Sequence, residues 1–156
     1  MKKLICIALA FALAAPAVSA MPAGEATASG ATIVNDRAAL QRLRRNSGIT
    51  LQWISFESPA RGHVIVRETN GLYTLSGSQA SRTGQGLVTI HGDILSVDRD
   101  RFTFRGRIAI SNTPDPDRQC IRDGTYEFRV TQNRRYWRLQ QMEACDGLTD
   151  YVDIYF

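Results

Sequence analysis

Most of the chain after Gly48 alternates apolar and polar residues with a period of two, interrupted by turn residues every eight to twelve positions. A β-strand places successive side chains on opposite faces, whereas a helix repeats every 3.6 residues. The pattern is clearest in residues 101–111, where one face would carry Phe102, Phe104, Ile108 and Ile110. The other face carries polar residues, so this segment is predicted to be a half-buried strand.

Short turns join the predicted strands into hairpins. Asn70-Gly71 is the strongest hairpin signal, because a type I′ turn needs a positive φ at both central positions. The predicted strands are 49–57, 63–69, 72–79, 86–97, 101–111, 125–131, 135–142 and 151–156. Because no long helical crossover separates them, a parallel α/β fold is excluded. The sequence predicts an all-β fold, an antiparallel meander of about seven or eight strands forming a small barrel or sandwich.

The predicted interior of this fold is rich in aromatic residues. Segment 49–57 is apolar on both faces and is therefore predicted to be a strand that runs through the core. The aromatic side chains expected to fill the interior are Trp53, Phe56, Phe102, Phe104, Phe128 and Trp137. Such filling argues against a barrel that carries a small apolar ligand, which would need an internal cavity of about 300 Å³ or more.

The first 20 residues have the features of a secretory signal peptide. Lys2 and Lys3 precede an apolar run over residues 4–15, and small residues follow at 17–20. A run of this length is shorter than the roughly 20 residues that cross a bilayer. We expect cleavage after Ala20, a periplasmic or secreted protein, and no transmembrane segment in the mature chain.

The mature chain is expected to contain one domain. Residues 21–34 are predicted to be a flexible leader, and residues 35–156 a single β domain. The domain would begin with a short helix at 35–47, capped by Asn35 or Asp36 and ended by Gly48 in a left-handed turn.

Signal cleavage changes the charge of the protein. The precursor has a formal charge of +4, but both of its lysines lie in the signal, which leaves 17 arginines against 15 acidic residues. A domain so close to neutral has no bulk field to hold a polyanion, so nucleic acid is not expected as a partner.

Two cysteines remain after cleavage, Cys120 and Cys145, and in an oxidising compartment they are predicted to form a disulfide. A zinc site would need four ligands, and no other Cys or His lies near them in the sequence. We expect neither a metal nor a cofactor.

Several segments resemble a group of small, uncharacterised exported bacterial proteins. The likeness is strongest in the carboxy-terminal motif, which comprises residues 135–140 (RYWRLQ), Cys145-Asp146 and residues 149–156 (TDYVDIYF). Residues 51–54 and 102–108 are similar as well, so the resemblance covers roughly residues 49–156. It implies an exported, single-domain β protein and assigns no catalytic residue.

A small hydrolase is the enzymatic alternative. His63 or His91 could act with an acidic partner, for instance Asp93, which lies two residues from His91 on the same strand face. No Gly-x-Ser-x-Gly elbow or other hydrolase signature accompanies them, and exposed strand histidines are the favoured interpretation.

Two acidic clusters are candidates for calcium binding. One lies in the proline loop at Asp115 and Asp117, and the other comprises Asp146, Asp150 and Asp153. No twelve-residue calcium-loop pattern is present, so hydrogen bonding within turns is the favoured role.

Arginine and tyrosine supply the candidate binding residues. Six arginines alternate with core residues on adjacent predicted strands: Arg105, Arg107, Arg129, Arg134, Arg135 and Arg138. Other residues could lie among them, namely Tyr136, Tyr151, Tyr155, Glu127 and Asp153. The predicted binding residues are Arg105, Arg107, Arg129, Arg138 and Tyr136. Arginine forks bind carboxylate or phosphate, and aromatic faces stack on rings, so an anion-binding or sugar-binding surface is one hypothesis. The other is a self-paired network of arginines, carboxylates and aromatics. The anion-site hypothesis requires unpaired guanidinium groups among Arg105, Arg107, Arg129 and Arg138, and it is withdrawn if each of these four is paired with a carboxylate.

Together these features favour a non-enzymatic, envelope-associated binding or structural module over an enzyme or a carrier. Its partner would be an anionic envelope component or another envelope protein.

Overall fold

The period-two alternation corresponds to a single nine-stranded sheet in the computed structural model, which describes residues 30–156. The predicted signal peptide and residues 21–29 of the predicted leader lie outside this range. The elements are β1 (Ile33–Val34), α1 (Arg37–Arg44), β2 (Gly48–Leu51), α2 (Gln52–Ser55), β3 (His63–Thr69), β4 (Leu72–Ala80), β5 (Leu87–Val97), β6 (Arg101–Ser111), β7 (Gln119–Arg129), β8 (Tyr136–Leu139) and β9 (Val152–Tyr155).

The sheet curls into a nearly closed barrel. Its strand order is β2-β9-β8-β7-β6-β5-β4-β3, and each of these neighbouring pairs is antiparallel. Gly62 N–H donates to the Ile49 carbonyl at 2.8 Å, and Ile49 N–H donates back at 3.4 Å, which joins β2 to the residue before β3. The predicted all-β antiparallel meander is confirmed.

Inward-facing side chains from every long strand fill the barrel. Phe102, Phe104 and Phe128 have no exposed surface, and Trp137 is 1% exposed. Phe102 and Phe128 stack with their centroids 4.9 Å apart, and Trp137 meets Phe102 edge-on. These rings fill this part of the barrel interior.

Three glycines lie side by side on the inner face of β5, β6 and β7. Gly106 is opposite both Gly92 and Gly124 in the strand register. A Cβ at Gly106 would lie 2.6 Å from the Gly92 Cα and 2.8 Å from the Phe104 ring. The absence of side chains lets neighbouring strands and the Phe104 ring approach closely, as in sheets that curve at glycine.

The first hairpin forms as predicted. Thr69 is opposite Leu72, and both turn residues between them have positive φ, 51° at Asn70 and 83° at Gly71. Strand β6 has the predicted bounds, and β5 differs from its prediction by one residue.

The amino-terminal part differs in detail from the expectation. Two residues of the expected leader, Ile33 and Val34, form a short strand that runs parallel to β5. Helix α1 is shorter than expected and is capped by Asp36, whose carboxylate accepts from Ala39 N–H at 2.7 Å. Gly48 has the expected positive φ, 111°, but it begins β2, and the helix ends at Arg44 with Arg45 as its C-cap.

The prediction of one continuous strand over 49–57 is wrong. Strand β2 ends at Leu51, and the chain then forms the short helix α2. The turn is fixed by side-chain amides, because Gln79 Oε1 accepts from Leu51 N–H at 2.7 Å while Gln52 binds backbone groups of Thr149 and Tyr151. As a result Trp53 is only partly buried, and Phe56, expected in the interior, is 77% exposed.

Strand β7 begins six residues earlier than predicted, and β8 is shorter because the chain leaves the sheet at Gln140. The following residues, 140–151, form a covering loop. The predicted disulfide between Cys120 and Cys145 is confirmed, and it ties this loop to β7.

Among residues 30–156, neither helix has the length and apolar character required to cross a bilayer.

Candidate functional site

The four candidate arginines are each paired with a carboxylate. The pairs are Arg105 with Asp93 at 3.5 Å, Arg107 with Asp123 at 3.0 Å, Arg129 with Glu127 at 2.6 Å, and Arg138 with Asp153 at 2.7 Å. Hydrogen bonding to Asp123 raises the pKa of Arg107, and hydrogen bonding to Asp153 raises that of Arg138. The condition set for an anion site on these four residues, unpaired guanidinium groups, is therefore not met.

The outer face of β8 and β9 nonetheless gathers tyrosines and arginines. Trp137 and Ile154 point into the barrel, so the residues next to them in sequence point outward. The register places Tyr136 opposite Tyr155 and Arg138 opposite Asp153. The Tyr136 and Tyr155 rings lie 5.0 Å apart at a tilt of 49°.

Arg138 occupies the centre of this face. Its Nε and Nη2 each donate to an oxygen of Asp153 at 2.7 Å, which forms a bidentate pair. Its guanidinium also lies 4.1 Å from the Tyr151 ring centroid and 5.2 Å from that of Tyr136. Arg138 therefore orients the two tyrosines, and its own charge is matched by Asp153.

Two further arginines flank these tyrosines. The Arg61 guanidinium lies 3.8 Å from the centre of the Tyr155 ring, and its Nη1 donates to Ser47 Oγ at 2.7 Å. The Arg134 guanidinium lies 5.7 Å from the centre of the Tyr136 ring. Within residues 30–156, neither Arg61 nor Arg134 forms an ion pair.

We call this surface the arginine–tyrosine face. It consists of Arg61, Arg134, Tyr136, Arg138, Tyr151, Asp153 and Tyr155. Because Asp153 balances only Arg138, the face keeps an excess of positive charge at its two flanks.

A partly buried ion-pair network supports the loop that carries Tyr151. Arg118 donates to both oxygens of Asp150 and both oxygens of Asp146, and Trp53 Nε1 donates to Asp150 at 2.9 Å. Asp150 is fully buried. Hydrogen bonds from Arg118 lower the pKa of Asp146. The hydrogen bonds to Asp146 and, to a smaller extent, to Asp150 raise the pKa of Arg118, although burial of the guanidinium acts in the opposite direction.

This network also shows what the second predicted acidic cluster does. Asp146 and Asp150 bind Arg118, and Asp153 binds Arg138. No group of three or more His, Cys, Asp and Glu side chains in the described range is arranged to hold a metal ion.

The two histidines lie on exposed strand positions, apart from any such network. His63 is opposite Ser78, and His91 is opposite Ser76 on one side and Arg107 on the other. Asp93, the candidate partner of His91, pairs with Arg105. Neither imidazole has a hydrogen-bonded carboxylate among residues 30–156, so neither histidine forms the His–acid pair that the hydrolase alternative assigned to it.

Sequence reasoning placed Tyr136, Arg138, Arg134, Tyr151 and Tyr155 among the candidates. It missed Arg61, which lies in the loop before β3 and reaches the face only because the barrel brings that loop beside β9. It also missed Arg118, whose only sequence signal was its position in the proline loop, residues 112–119.

The comparisons with known proteins agree with one another. The profile of the PM1083 family matches residues 31–156. An uncharacterised protein of Pasteurella multocida (strain Pm70), PM1083, is 41% identical over 108 residues, which are 68% of this chain and 68% of that protein. No solved structure matches the chain. The chain therefore belongs to the PM1083 family.

Proposed function

We propose that the domain is an exported, non-enzymatic binding module of the cell envelope, and that its arginine–tyrosine face holds an anionic, ring-bearing ligand of the acidic-sugar class. The site is carried by Arg61 and Arg134, not by the four paired arginines of the initial hypothesis. The tyrosines supply aromatic surface beside these charges.

The observation that carries the proposal is the geometry of Arg61. Its guanidinium stacks on the Tyr155 ring at 3.8 Å, it is exposed, and no carboxylate in the described part of the chain neutralises it. A stacked guanidinium is held in place by its ring while its outer N–H groups stay available to an acceptor. Such a pair presents a charge and an apolar ring edge together.

The spacing of the charges suits a ligand with several acidic groups. Arg61 stacks on Tyr155 at one flank, and the Arg134 guanidinium lies 5.7 Å from the Tyr136 ring centre at the other, with the two rings 5.0 Å apart between them. Sugar rings stack on aromatic faces, and their carboxylate or phosphate groups accept hydrogen bonds from guanidinium. A neutral sugar would use the rings but not the flanking charges.

The cell envelope is the proposed location because two features agree with it. The sequence begins with the pattern of a secretory signal, and the domain contains a disulfide, which persists in oxidising compartments.

The carboxy-terminal motif supplies most of the arginine–tyrosine face. Five residues of the face belong to it: Tyr136, Arg138, Tyr151, Asp153 and Tyr155.

Calorimetric titration of the oxidised domain tests the proposal. The anionic probe is an oligogalacturonate, and the matched neutral probe is a maltooligosaccharide of the same length. We expect saturable binding of the anionic probe that weakens as salt rises, because exposed charges are screened. Equal binding of both probes, or no binding of either, would overturn the proposal.

A further inference from the structure

Arg122 is a buried arginine at the end of the barrel that residues 140–151 cover. It is 9% exposed and follows Cys120 by two residues, so both side chains face inward from β7. Its Nη1 donates to the Gln141 carbonyl at 2.7 Å, which places the guanidinium directly beneath the covering loop.

The opposite edge of this guanidinium has no partner. Nε and Nη2 are both buried, and neither has a hydrogen-bond acceptor among the atoms of residues 30–156. These two N–H groups lie on the same edge of the planar group and point in parallel, which is the fork that binds the two oxygens of a carboxylate. Leaving two such donors buried and unpaired is costly.

The neighbouring buried carboxylate is already engaged. Asp150 accepts from Arg118 with both oxygens and also from Trp53. Burial lowers the pKa of Arg122, and the charge of Asp150 opposes this shift only in part. Arg118, in contrast, finds an acceptor for Nε, Nη1 and Nη2. Of the two buried arginines at this end, only Arg122 lacks a hydrogen-bonded counter-charge.

A tyrosine hydroxyl belongs to the surroundings of Arg122. Gly124, the next inward-facing residue on β7, contributes no side chain, and the Tyr126 ring takes this space, with its hydroxyl 3.0 Å from the position a Gly124 Cβ would take. The Tyr126 ring centre is 5.8 Å from the Arg122 guanidinium carbon, so a hydroxyl donor and the fork belong to the same interior cluster. Burial raises the pKa of Tyr126, which keeps this hydroxyl protonated as a donor.

We propose that the Nε and Nη2 edge of Arg122 binds a small carboxylate anion, of the size of formate or acetate, inside this end of the barrel. The site is separate from the arginine–tyrosine face and does not depend on it. The covering loop, which the Cys120–Cys145 disulfide fastens to β7, encloses the anion.

Nitrogen-15 NMR of the arginine Nε–H groups tests this site on the intact oxidised domain, with sodium formate as the probe and sodium chloride as the ionic-strength control. We expect a saturable shift of the Arg122 Nε–H signal with formate. Two other arginines serve as internal controls, and their signals should move little. Arg118 is buried and ion-paired, and Arg107 is exposed and ion-paired. The variants Arg61→Gln and Arg134→Gln should leave the Arg122 response unchanged.

A second sample, Arg122→Gln, should lose the saturable response, whereas the exposed control Arg107→Gln should keep it. If Arg122→Gln does not fold, the wild-type titration still decides, because the three arginines are compared in one spectrum. The proposal would be overturned if the Arg122 Nε–H signal did not shift with formate and showed contacts only to water. Parallel shifts of exposed and buried arginines would overturn it as well.

Discussion

Arg118 and Asp150 form a bidentate ion pair inside the protein. Nη1 donates to Oδ1 and Nη2 to Oδ2, each at 3.0 Å, and Asp150 has no exposed surface. The pair joins the start of β7 to the residue before Tyr151. It therefore links the disulfide end of the barrel to the arginine–tyrosine face.

Substitution of Asp150 by Asn should destabilise the domain strongly. Arg118 would keep its charge in a buried position with one counter-charge removed, and breaking a buried pair in this way costs about 3–5 kcal/mol. Urea unfolding of the oxidised protein measures the loss. The matched control is Asp123→Asn, which breaks the exposed pair with Arg107 and should leave the unfolding midpoint near that of the wild type. Equal midpoints for the two variants would contradict this account of the network.

Asp146 should make stability depend on pH in the acid range. Its pKa is lowered in the folded protein by hydrogen bonds from Arg118, so its contribution is complete above its ordinary pKa. That contribution is lost as the pH falls through the lower folded-state pKa. We expect the wild type to be more stable than Asp146→Asn at pH 7, with the difference shrinking below about pH 4. A difference that stays constant down to pH 2 would show that the charge on Asp146 is not responsible.

Alanine at Gly106 should destabilise the barrel without changing its surface. The added methyl group would lie 2.6 Å from the Gly92 backbone and 2.8 Å from the Phe104 ring, so strands or ring must move apart. Overpacking of this kind typically costs about 1–3 kcal/mol. Thermal unfolding followed by near-UV circular dichroism measures it. Gly30→Ala is the control, since a Cβ there meets nothing within 4 Å. A Gly106→Ala protein as stable as this control would refute the close-approach argument.

Loss of the disulfide should lower the free energy of unfolding by about 3 kcal/mol, because the bond closes a loop between cysteines 25 residues apart. The double variant Cys120→Ser/Cys145→Ser, compared with the oxidised wild type in urea, measures this loss. Mass spectrometry of the unreduced wild type should show two hydrogens fewer than the reduced form. Free thiols in protein exported to an oxidising compartment would contradict the prediction.

The strands were predictable where local chemistry decides them. Asn70-Gly71 fixes a turn type by backbone sterics alone, and the alternation in 101–111 fixes which side chains face inward. Segment 49–57 was not predictable in the same way. Its path is set by Gln79 and Gln52, whose amides bind backbone groups distant in sequence and stop β2 at Leu51.

The candidate site was predictable in part. Alternation placed Tyr136 and Arg138 on an outer face, but it could not show that Asp153 would neutralise Arg138 while Arg61 stays unpaired. That outcome depends on strand register and on closure of the barrel, which bring Arg61 onto Tyr155. The burial of Arg118, Arg122 and Asp150 is also a tertiary property, because charged residues give no local signal that they will be enclosed.

Affinity of the arginine–tyrosine face for oligogalacturonate is the most direct test of the proposed function. The measurement compares the double variant Arg61→Gln/Arg134→Gln with the control Arg105→Gln/Arg107→Gln, in which both arginines belong to existing ion pairs. Both variants lose two positive charges, so a difference between them reports position and not net charge. We predict that binding weakens about tenfold or more in the first variant and changes little in the second, since tenfold corresponds to about 1.4 kcal/mol. Equal weakening in both variants would contradict the account.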